Sequence, residues 1–247
     1  MPDLSSEPKF LEPILGIVFD LDGTLVLSHH DFGRIRAEVV RIAERHGVVP
    51  GHLSVHEPVH RIVEMAREEL QAGHVPEGEL WRFETEYQKA IDQIELEALP
   101  RTTARPGAEN LLRGLQRREF RLGILTRSSE AFARAALVRT ALGTFFPYLR
   151  SRSTPGPAKP SPEALLALLR EMEVPTERAL YVGDHLLDAE CAIAARVRFY
   201  AVLPDPSEKE DRAVAADRFR TAGASAIAED LDALARFLSV APAARFA

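Results

Sequence analysis

The sequence predicts an α/β fold: a Rossmann-like parallel sheet with helices on both faces, and a small α-helical domain inserted into it. Three apolar segments end in polar residues, at Asp20, Thr126 and Asp184, as buried strands do at one edge of a parallel sheet. From residue 106 onward, helical and strand patterns alternate, which is typical of βαβ units. About 70 residues of helical pattern separate the first strand from this alternation, too many for an ordinary loop.

The first strand covers the apolar run that precedes Asp20, and the inserted helical domain follows this strand. Two helices of the inserted domain are predicted over residues 56–72 and 78–94, and glycine and proline separate them. Its first helix is amphipathic, because apolar residues recur at helical spacing: Phe32, Ile35, Val39 and Ile42. We therefore predict a core of residues 1–28 and 101–247 and a helical domain of residues 29–100.

The rest of the core is predicted from the alternation of patterns. Helices are expected over 107–118, 130–142, 162–172 and 186–195, and strands over 121–126, 146–150, 178–182 and 198–203. The segment 204–223 is rich in charge and proline, so we expect a loop there before a last short strand and a helix over 229–238.

The strongest motif is Asp20-Leu21-Asp22-Gly23-Thr24 at the end of the first strand. Residues two apart on an extended segment face the same way, so Asp20 and Asp22 can both face one site. A carboxylate can attack a phosphoryl group if its charge is neutralised, and Mg²⁺ prefers such oxygen ligands. The second carboxylate could act as general acid and base. Gly23 lets the backbone bend, and Thr24 can hold a phosphate oxygen or fix the carboxylates.

Three further segments follow in the order expected for one family. An apolar run ends in Thr126, Lys159 lies in a proline-rich loop, and Gly183-Asp184 is followed four residues later by Asp188. With D-x-D-G-T, they make the chain resemble the haloacid dehalogenase-like (HAD) hydrolase superfamily, in its phosphatase branch with a helical cap.

The resemblance implies a role for each motif residue. Asp20 would be the nucleophile and Asp22 the general acid and base; Thr126 and Lys159 would bind the phosphoryl group. Asp20, the Asp22 backbone carbonyl and Asp184 would bind Mg²⁺, and Asp188 would act near the metal without being a direct ligand. The inserted domain would be the cap that closes over the catalytic face.

Each of these residues also has a purely structural interpretation. Thr126, or the serines at 128 and 129, could cap the helix that begins near residue 130. Lys159 could be a solvated loop residue. Asp184 could be a helix N-cap, and Asp188 an ordinary exposed helix position.

The chain departs from the pattern of many relatives at three positions. His185 stands where they have Ser or Thr, and Leu27 where many have Asp. Arg127 stands where Asn is frequent, so its guanidinium could bind the substrate phosphate or cap a turn.

Composition narrows the class of protein. A net charge of −6 argues against nucleic acid as a partner, and no apolar run reaches the roughly 20 residues that span a membrane. Residues 1–13 lack the basic and apolar regions of a signal peptide, and a single cysteine, Cys191, fits a reducing compartment. We expect a cytoplasmic enzyme; oligomeric state is not predicted.

The function that these observations favour is Mg²⁺-dependent hydrolysis of a small phosphorylated metabolite through a phosphoaspartyl intermediate, as in phosphoglycolate phosphatases. A sugar-phosphate mutase is the first alternative. Such mutases resemble this chain but have a cap histidine where Phe32 stands, while His29 and His30 lie earlier. A non-catalytic binding protein on the same fold is the second alternative.

The inserted domain also contains arginines that could bind a substrate carboxylate: Arg34, Arg41, Arg45, Arg61, Arg67 and Arg82.

Overall fold

The computed structural model describes residues 13–73, 75–76, 78–205 and 211–239. The chain divides into two compact units. The core unit comprises the chain up to Ser28 together with the chain from Thr102 onward, and the helical unit is His29–Arg101.

A parallel sheet forms the centre of the core unit. The described part of this unit contains the strands β1 (Gly16–Phe19), β2 (Val26–Leu27), β3 (Thr103–Ala104), β4 (Arg121–Leu125), β5 (Tyr148–Arg150), β6 (Ala179–Gly183), β7 (Arg198–Val202) and β8 (Ala226–Ala228). Six of them pair in parallel in the order β5-β4-β1-β6-β7-β8. The short strands β2 and β3 form a separate antiparallel pair. β1 therefore lies inside the sheet, between β4 and β6.

Helices of the core unit cover both faces of this sheet. The helical unit contains α1 (Phe32–Arg45), α2 (Val59–Ala72) and α3 (Glu79–Ala98); the core unit contains α4 (Ala108–Arg117), α5 (Glu130–Arg139), α6 (Pro162–Glu171), α7 (Leu186–Ala194), α8 (Arg212–Thr221) and α9 (Leu231–Ser239). Apolar residues of α4, α5 and α9 pack in one cluster, and those of α6, α7 and α8 in another. The predicted α/β fold with an inserted helical domain is thus confirmed.

The central strand shows why the sheet is buried on both faces. Successive side chains of a strand point to opposite faces. Ile17 and Phe19 pack in the cluster that contains α4, whereas Val18 packs in the cluster that contains α6. All three side chains are fully buried, which explains why the strand is continuously apolar in sequence.

The expectation of a loop over 204–223 is wrong for much of that segment. Helix α8 occupies Arg212–Thr221, and the Asp211 side chain caps it by accepting from the backbone N–H groups of Ala213 and Val214. Ala215, Ala216 and Phe219 bury one face of the helix. Both prolines of the segment lie within its first three residues. Residues 206–210 lie outside the described residues. The cap and the alanine-rich face that follow favour a helix.

The helical unit has its own apolar core, which α1, α2 and α3 share. Ile35, Val39 and Ile42 are buried, as the sequence predicts. Phe32 is 51% exposed and does not belong to this stripe. A helical side chain covers the turn that precedes its own Cα, and no helical turn precedes the first residue of α1.

Among the described residues, none of the helices has both the length and the apolar composition that a membrane span requires. The sequence-based interpretation of residues 1–13 concerns a segment that, apart from Pro13, lies outside the described residues.

Candidate active site

Three predicted site residues follow neighbouring strands at one edge of the sheet. Asp20 follows β1, Thr126 follows β4 and Asp184 follows β6. The backbone N–H of Asp20 donates to Val182 O at 2.9 Å, which ties β1 to β6 at this point. The carboxyl ends of adjacent parallel strands form the usual ligand site of open α/β sheets.

Lys159 is buried at the centre of this site, so the structure excludes its interpretation as a solvated loop residue. Only 4% of the residue is exposed. Its Nζ donates to Asp20 Oδ1 at 2.6 Å and to Asp188 Oδ1 at 2.7 Å. A buried ammonium needs such charged partners, because burial alone would strongly disfavour its charged form.

Asp188 is not an exposed helix residue either, since it is 1% exposed. Its Oδ1 accepts from Lys159 Nζ and lies 2.8 Å from Tyr181 Oη, while its Oδ2 accepts from the backbone N–H of His185 at 3.1 Å. His185, rather than Asp184, is the N-cap of α7: its Nδ1 accepts from Leu187 N–H, and Asp188 completes a capping box.

Asp184 is held by the motif at the end of β1. The Thr24 hydroxyl donates to Asp184 Oδ1, so Thr24 fixes a carboxylate. Gly23 has a left-handed φ of +84°, and a Cβ at this position would lie 2.1 Å from Asp184 Oδ2. Gly183 makes similar room for Asp188, because a Cβ there would lie 2.4 Å from its Oδ2.

Replacing Gly23 by alanine is therefore expected to impair both stability and activity. Gly51→Ala is a matched control, because Gly51 has a φ of +86° and a Cβ at that position would meet nothing within 4 Å. We expect Gly51→Ala to cost about 1–2 kcal/mol through left-handed strain alone. Gly23→Ala should also displace Asp184 and lower kcat by about 100-fold, the scale of a 1 Å misplacement in an active site.

Thermal unfolding and phosphate release, measured on both variants, separate these two effects. An activity loss in Gly23→Ala no larger than that in Gly51→Ala would show that the contact with Asp184 is unimportant.

Asp22 lies beside this cluster, with a half-buried side chain. Its Oδ1 accepts from the backbone N–H of Ser28 at 3.2 Å. Among the described residues, a group of carboxylates suited to a metal ion is formed by Asp20, Asp184 and Asp188, each offering an oxygen within 4.8 Å of the others. The side chain of Asp22 is outside that group, and a metal contact through its backbone carbonyl stays a prediction.

The site concentrates negative charge in a buried place. Burial raises the pKa of Asp20 to about 7, although Lys159 opposes the shift. Burial and the neighbouring carboxylates of Asp20 and Asp188 raise the pKa of Asp184 well above its usual value. Burial lowers the pKa of Lys159, but Asp188 and Asp20 outweigh this and raise it overall. Once all three carboxylates are ionised, they and the one ammonium carry two negative charges, and an all-oxygen donor set of this charge fits Mg²⁺.

The two residues that follow β4 have different surroundings. Thr126 is buried, and its Oγ1 accepts from the backbone N–H of Ser128 at 3.1 Å. Ser129 is the N-cap of α5, so Thr126 is not needed for that purpose. The Arg127 guanidinium donates to the backbone carbonyl of Lys159 and so supports the lysine loop. Phosphate binding by Thr126 and Arg127 stays a prediction.

Two residues of the site are missed by sequence reasoning. Arg105 is 3% exposed, and its guanidinium donates to the carbonyls of Gly23 and Leu203. Tyr181 places its hydroxyl beside Asp188. A tyrosine inside an otherwise apolar strand is a weak signal that could have identified Tyr181. Nothing in the sequence around Arg105 distinguishes it from an exposed loop residue.

The six arginines considered for substrate binding all form ion pairs with glutamates within the helical unit. Three pairs are local and three join different helices: Arg41–Glu38, Arg61–Glu64 and Arg82–Glu79, then Arg34–Glu97, Arg45–Glu86 and Arg67–Glu84. Partly exposed pairs of this kind contribute little to stability.

The two histidines considered for the mutase alternative lie at the start of the helical unit. His29 is exposed and His30 is half-buried.

Comparison with known proteins places the chain among hydrolases. The family model described as haloacid dehalogenase-like hydrolase matches residues 14–196. A phosphoglycolate phosphatase of Cereibacter sphaeroides is 33% identical over 192 residues, which are 74% of this chain and 83% of the relative. Phosphoglycolate phosphatase 1 of Pseudomonas aeruginosa is 29% identical over 201 residues, covering 80% and 73% of the two chains.

Solved structures share the fold. A hydrolase from Pseudomonas syringae superposes with a TM-score of 0.63 at 21% identity, covering 90% of this chain and 97% of the other. A HAD family hydrolase from Deinococcus radiodurans, solved with bound phosphate and sodium, gives a TM-score of 0.59 at 20% identity, covering 94% and 99%.

Proposed function

The chain belongs to the haloacid dehalogenase-like hydrolase family, and from this premise we propose that it is a Mg²⁺-dependent phosphatase of a small phosphorylated metabolite. The observation that carries the proposal is the surroundings of Asp20. This carboxylate ends the central strand, lies 2.6 Å from the Lys159 ammonium, and shares a cluster of oxygens with Asp184 and Asp188. These contacts support the proposal, because a carboxylate that could act as nucleophile, a counter-charge and carboxylates suited to a metal ion lie together.

The reaction would proceed in two steps on residues of this chain. An Asp20 oxygen attacks phosphorus, and the bond from phosphorus to the substrate oxygen breaks while Asp22 gives that oxygen a proton. Asp22 then takes a proton from water, whose oxygen attacks the phosphorus of phosphorylated Asp20. Inorganic phosphate leaves, and Asp20 is regenerated.

The other residues of the site would hold the transferring group. Lys159, Thr126 and Arg127 would bind its oxygens, and Asp188 would keep Lys159 in place through the contact at 2.7 Å. Asp20, Asp184 and the Asp22 carbonyl would hold Mg²⁺, which when bound offsets the negative charge of nucleophile and phosphate. Electrostatic stabilisation of this kind is the main requirement of phosphoryl transfer.

The relatives suggest which esters to test first. Both phosphatases compared above are phosphoglycolate phosphatases, so phosphoglycolate heads the list of candidate substrates. The helical unit would contribute specificity as a cap, and the enzyme would act in the cytoplasm; both remain predictions.

The proposal is tested by measuring phosphate release from a panel of small esters, phosphoglycolate and hexose phosphates included, with Mg²⁺ and with EDTA. We expect release from at least one ester, and only with Mg²⁺. Isomerisation of a sugar phosphate without phosphate release would instead indicate a mutase. A folded protein that neither hydrolyses nor isomerises any of these esters would contradict the proposal and favour a binding protein.

A further inference from the structure

Tyr181 lies on β6, the strand that Asp184 follows, and is fully buried. Its Oη is 2.8 Å from Asp188 Oδ1 and 3.2 Å from the carbonyl oxygen of Leu125, the residue before Thr126. A tyrosine hydroxyl has one proton to donate. The shorter distance and the charge of the acceptor favour Asp188 as the partner that receives it.

This hydroxyl completes the set of donors around Asp188. Lys159 Nζ and Tyr181 Oη share Oδ1, and the backbone N–H of His185 occupies Oδ2. The carboxylate plane is therefore fixed by three donors from three different segments of the chain. On Asp188 Oδ1, the Tyr181 hydroxyl is the neutral donor and the Lys159 ammonium is the charged one.

Lys159 in turn is shared between two carboxylates at nearly equal distances, 2.6 Å to Asp20 and 2.7 Å to Asp188. Its Nζ also lies 5.8 Å from the centre of the Tyr181 ring, within the range of a cation–π contact. The position of the Lys159 ammonium between Asp20 and α7 thus depends on how strongly Asp188, a residue of α7, attracts it.

We propose that Tyr181 is a positioning residue, which orients Asp188 so that Lys159 is held where it meets both Asp20 and the transferring phosphoryl group. This inference rests on the proposed phosphatase function. Without the hydroxyl, Asp188 Oδ1 has Lys159 as its strongest remaining donor. The carboxylate can then rotate and draw the ammonium toward the α7 side, away from Asp20.

Tyr181→Phe removes only the hydroxyl and keeps the ring, so it tests the proposal cleanly. Tyr200→Phe is the matched control: Tyr200 is also buried and lies on β7, the neighbouring strand, but it packs in the cluster on the opposite face of the sheet. We expect Tyr181→Phe to lower kcat about tenfold, as for loss of a hydrogen bond to a charged group, with KM changed less. Tyr200→Phe should leave kcat within twofold of the wild type.

A double-mutant cycle shows whether Tyr181 acts through Asp188. In an Asp188→Asn background, adding Tyr181→Phe should lower kcat by less than twofold further, because the partner it positions is already lost. Affinity for inorganic phosphate, measured by calorimetry with Mg²⁺, is the second readout. It should fall several-fold in Tyr181→Phe and stay unchanged in Tyr200→Phe.

The outcomes separate this inference from the proposed function. If Tyr181→Phe keeps kcat within twofold of the wild type, or if its effect adds fully to that of Asp188→Asn, the positioning role is wrong while the phosphatase stands. If the wild type hydrolyses nothing but Tyr181→Phe selectively weakens phosphate binding, the positioning role stands without the phosphatase. A wild type that neither hydrolyses esters nor binds phosphate overturns both.

Discussion

Asp20→Asn is expected to abolish phosphate release while the protein stays folded. The amide cannot form the phosphoaspartyl bond, and loss of a nucleophile in covalent catalysis lowers kcat by at least about 10⁴-fold. Phosphate release is the measurement, on the ester that the wild type hydrolyses fastest. Asp217→Asn is the matched control, because Asp217 is an exposed carboxylate paired with Arg220 on α8 and should keep full activity.

The same substitution should not destabilise the metal-free protein. Burial raises the pKa of Asp20 from 3.8 to about 7. The folded state therefore binds this proton more tightly than the unfolded state, and ionisation of Asp20 makes folding less favourable as the pH rises from about 4 through 7. Asparagine has no such penalty.

Thermal unfolding in EDTA checks the sign of this effect. Asp20→Asn should unfold at the same temperature as the wild type near pH 4, and at an equal or higher temperature above pH 7. An inactive variant that unfolds well below the wild type at pH 8 would leave the activity loss explained by misfolding. More than 1% residual activity in a pure sample would contradict the role of Asp20 as nucleophile.

The strand ends of the site could be predicted from sequence because the relevant signal is local. Asp20, Thr126 and Asp184 each follow an apolar run, and parallel strands bring their carboxyl ends to one edge whatever the details of packing. The bend at Gly23 was also predictable, since a tight turn after two aspartates calls for a residue that tolerates a positive φ.

The partners of these residues were not predictable, because they come from distant parts of the chain. Arg105 reaches the carbonyl of Gly23 across 82 positions, and Tyr181 reaches that of Leu125 across 56. No local pattern encodes such pairings, which exist only after the sheet has formed. The same limit applies to burial: sequence alone left open whether Asp188 is an exposed helix residue, and only the contacts with Lys159 and Tyr181 decide against this.

Asp184→Asn is expected to have the second largest effect, through the metal. Burial and the carboxylates of Asp20 and Asp188 raise the pKa of Asp184, so its ionised form is unfavourable in the metal-free protein. In the wild type, the Thr24 hydroxyl donates to Asp184 Oδ1. Asparagine keeps an oxygen that can accept this hydrogen bond. It removes one negative charge from a site proposed to hold Mg²⁺. We expect activity at fixed Mg²⁺ to fall by about 10²- to 10³-fold, the loss of several kcal/mol of charge stabilisation.

Thermal unfolding with and without Mg²⁺ separates a metal ligand from a merely structural carboxylate. A ligand at 100 times its Kd stabilises the folded state by about 2.7 kcal/mol, about 5–10 °C for a chain of this size. The wild type should show such a shift. Asp184→Asn should melt at or above the wild-type temperature in EDTA, because asparagine has no ionised form to disfavour at this buried position, and it should gain little from Mg²⁺. A Mg²⁺-induced shift equal to that of the wild type would show that Asp184 does not bind the metal, and the charge of the site would then need another explanation.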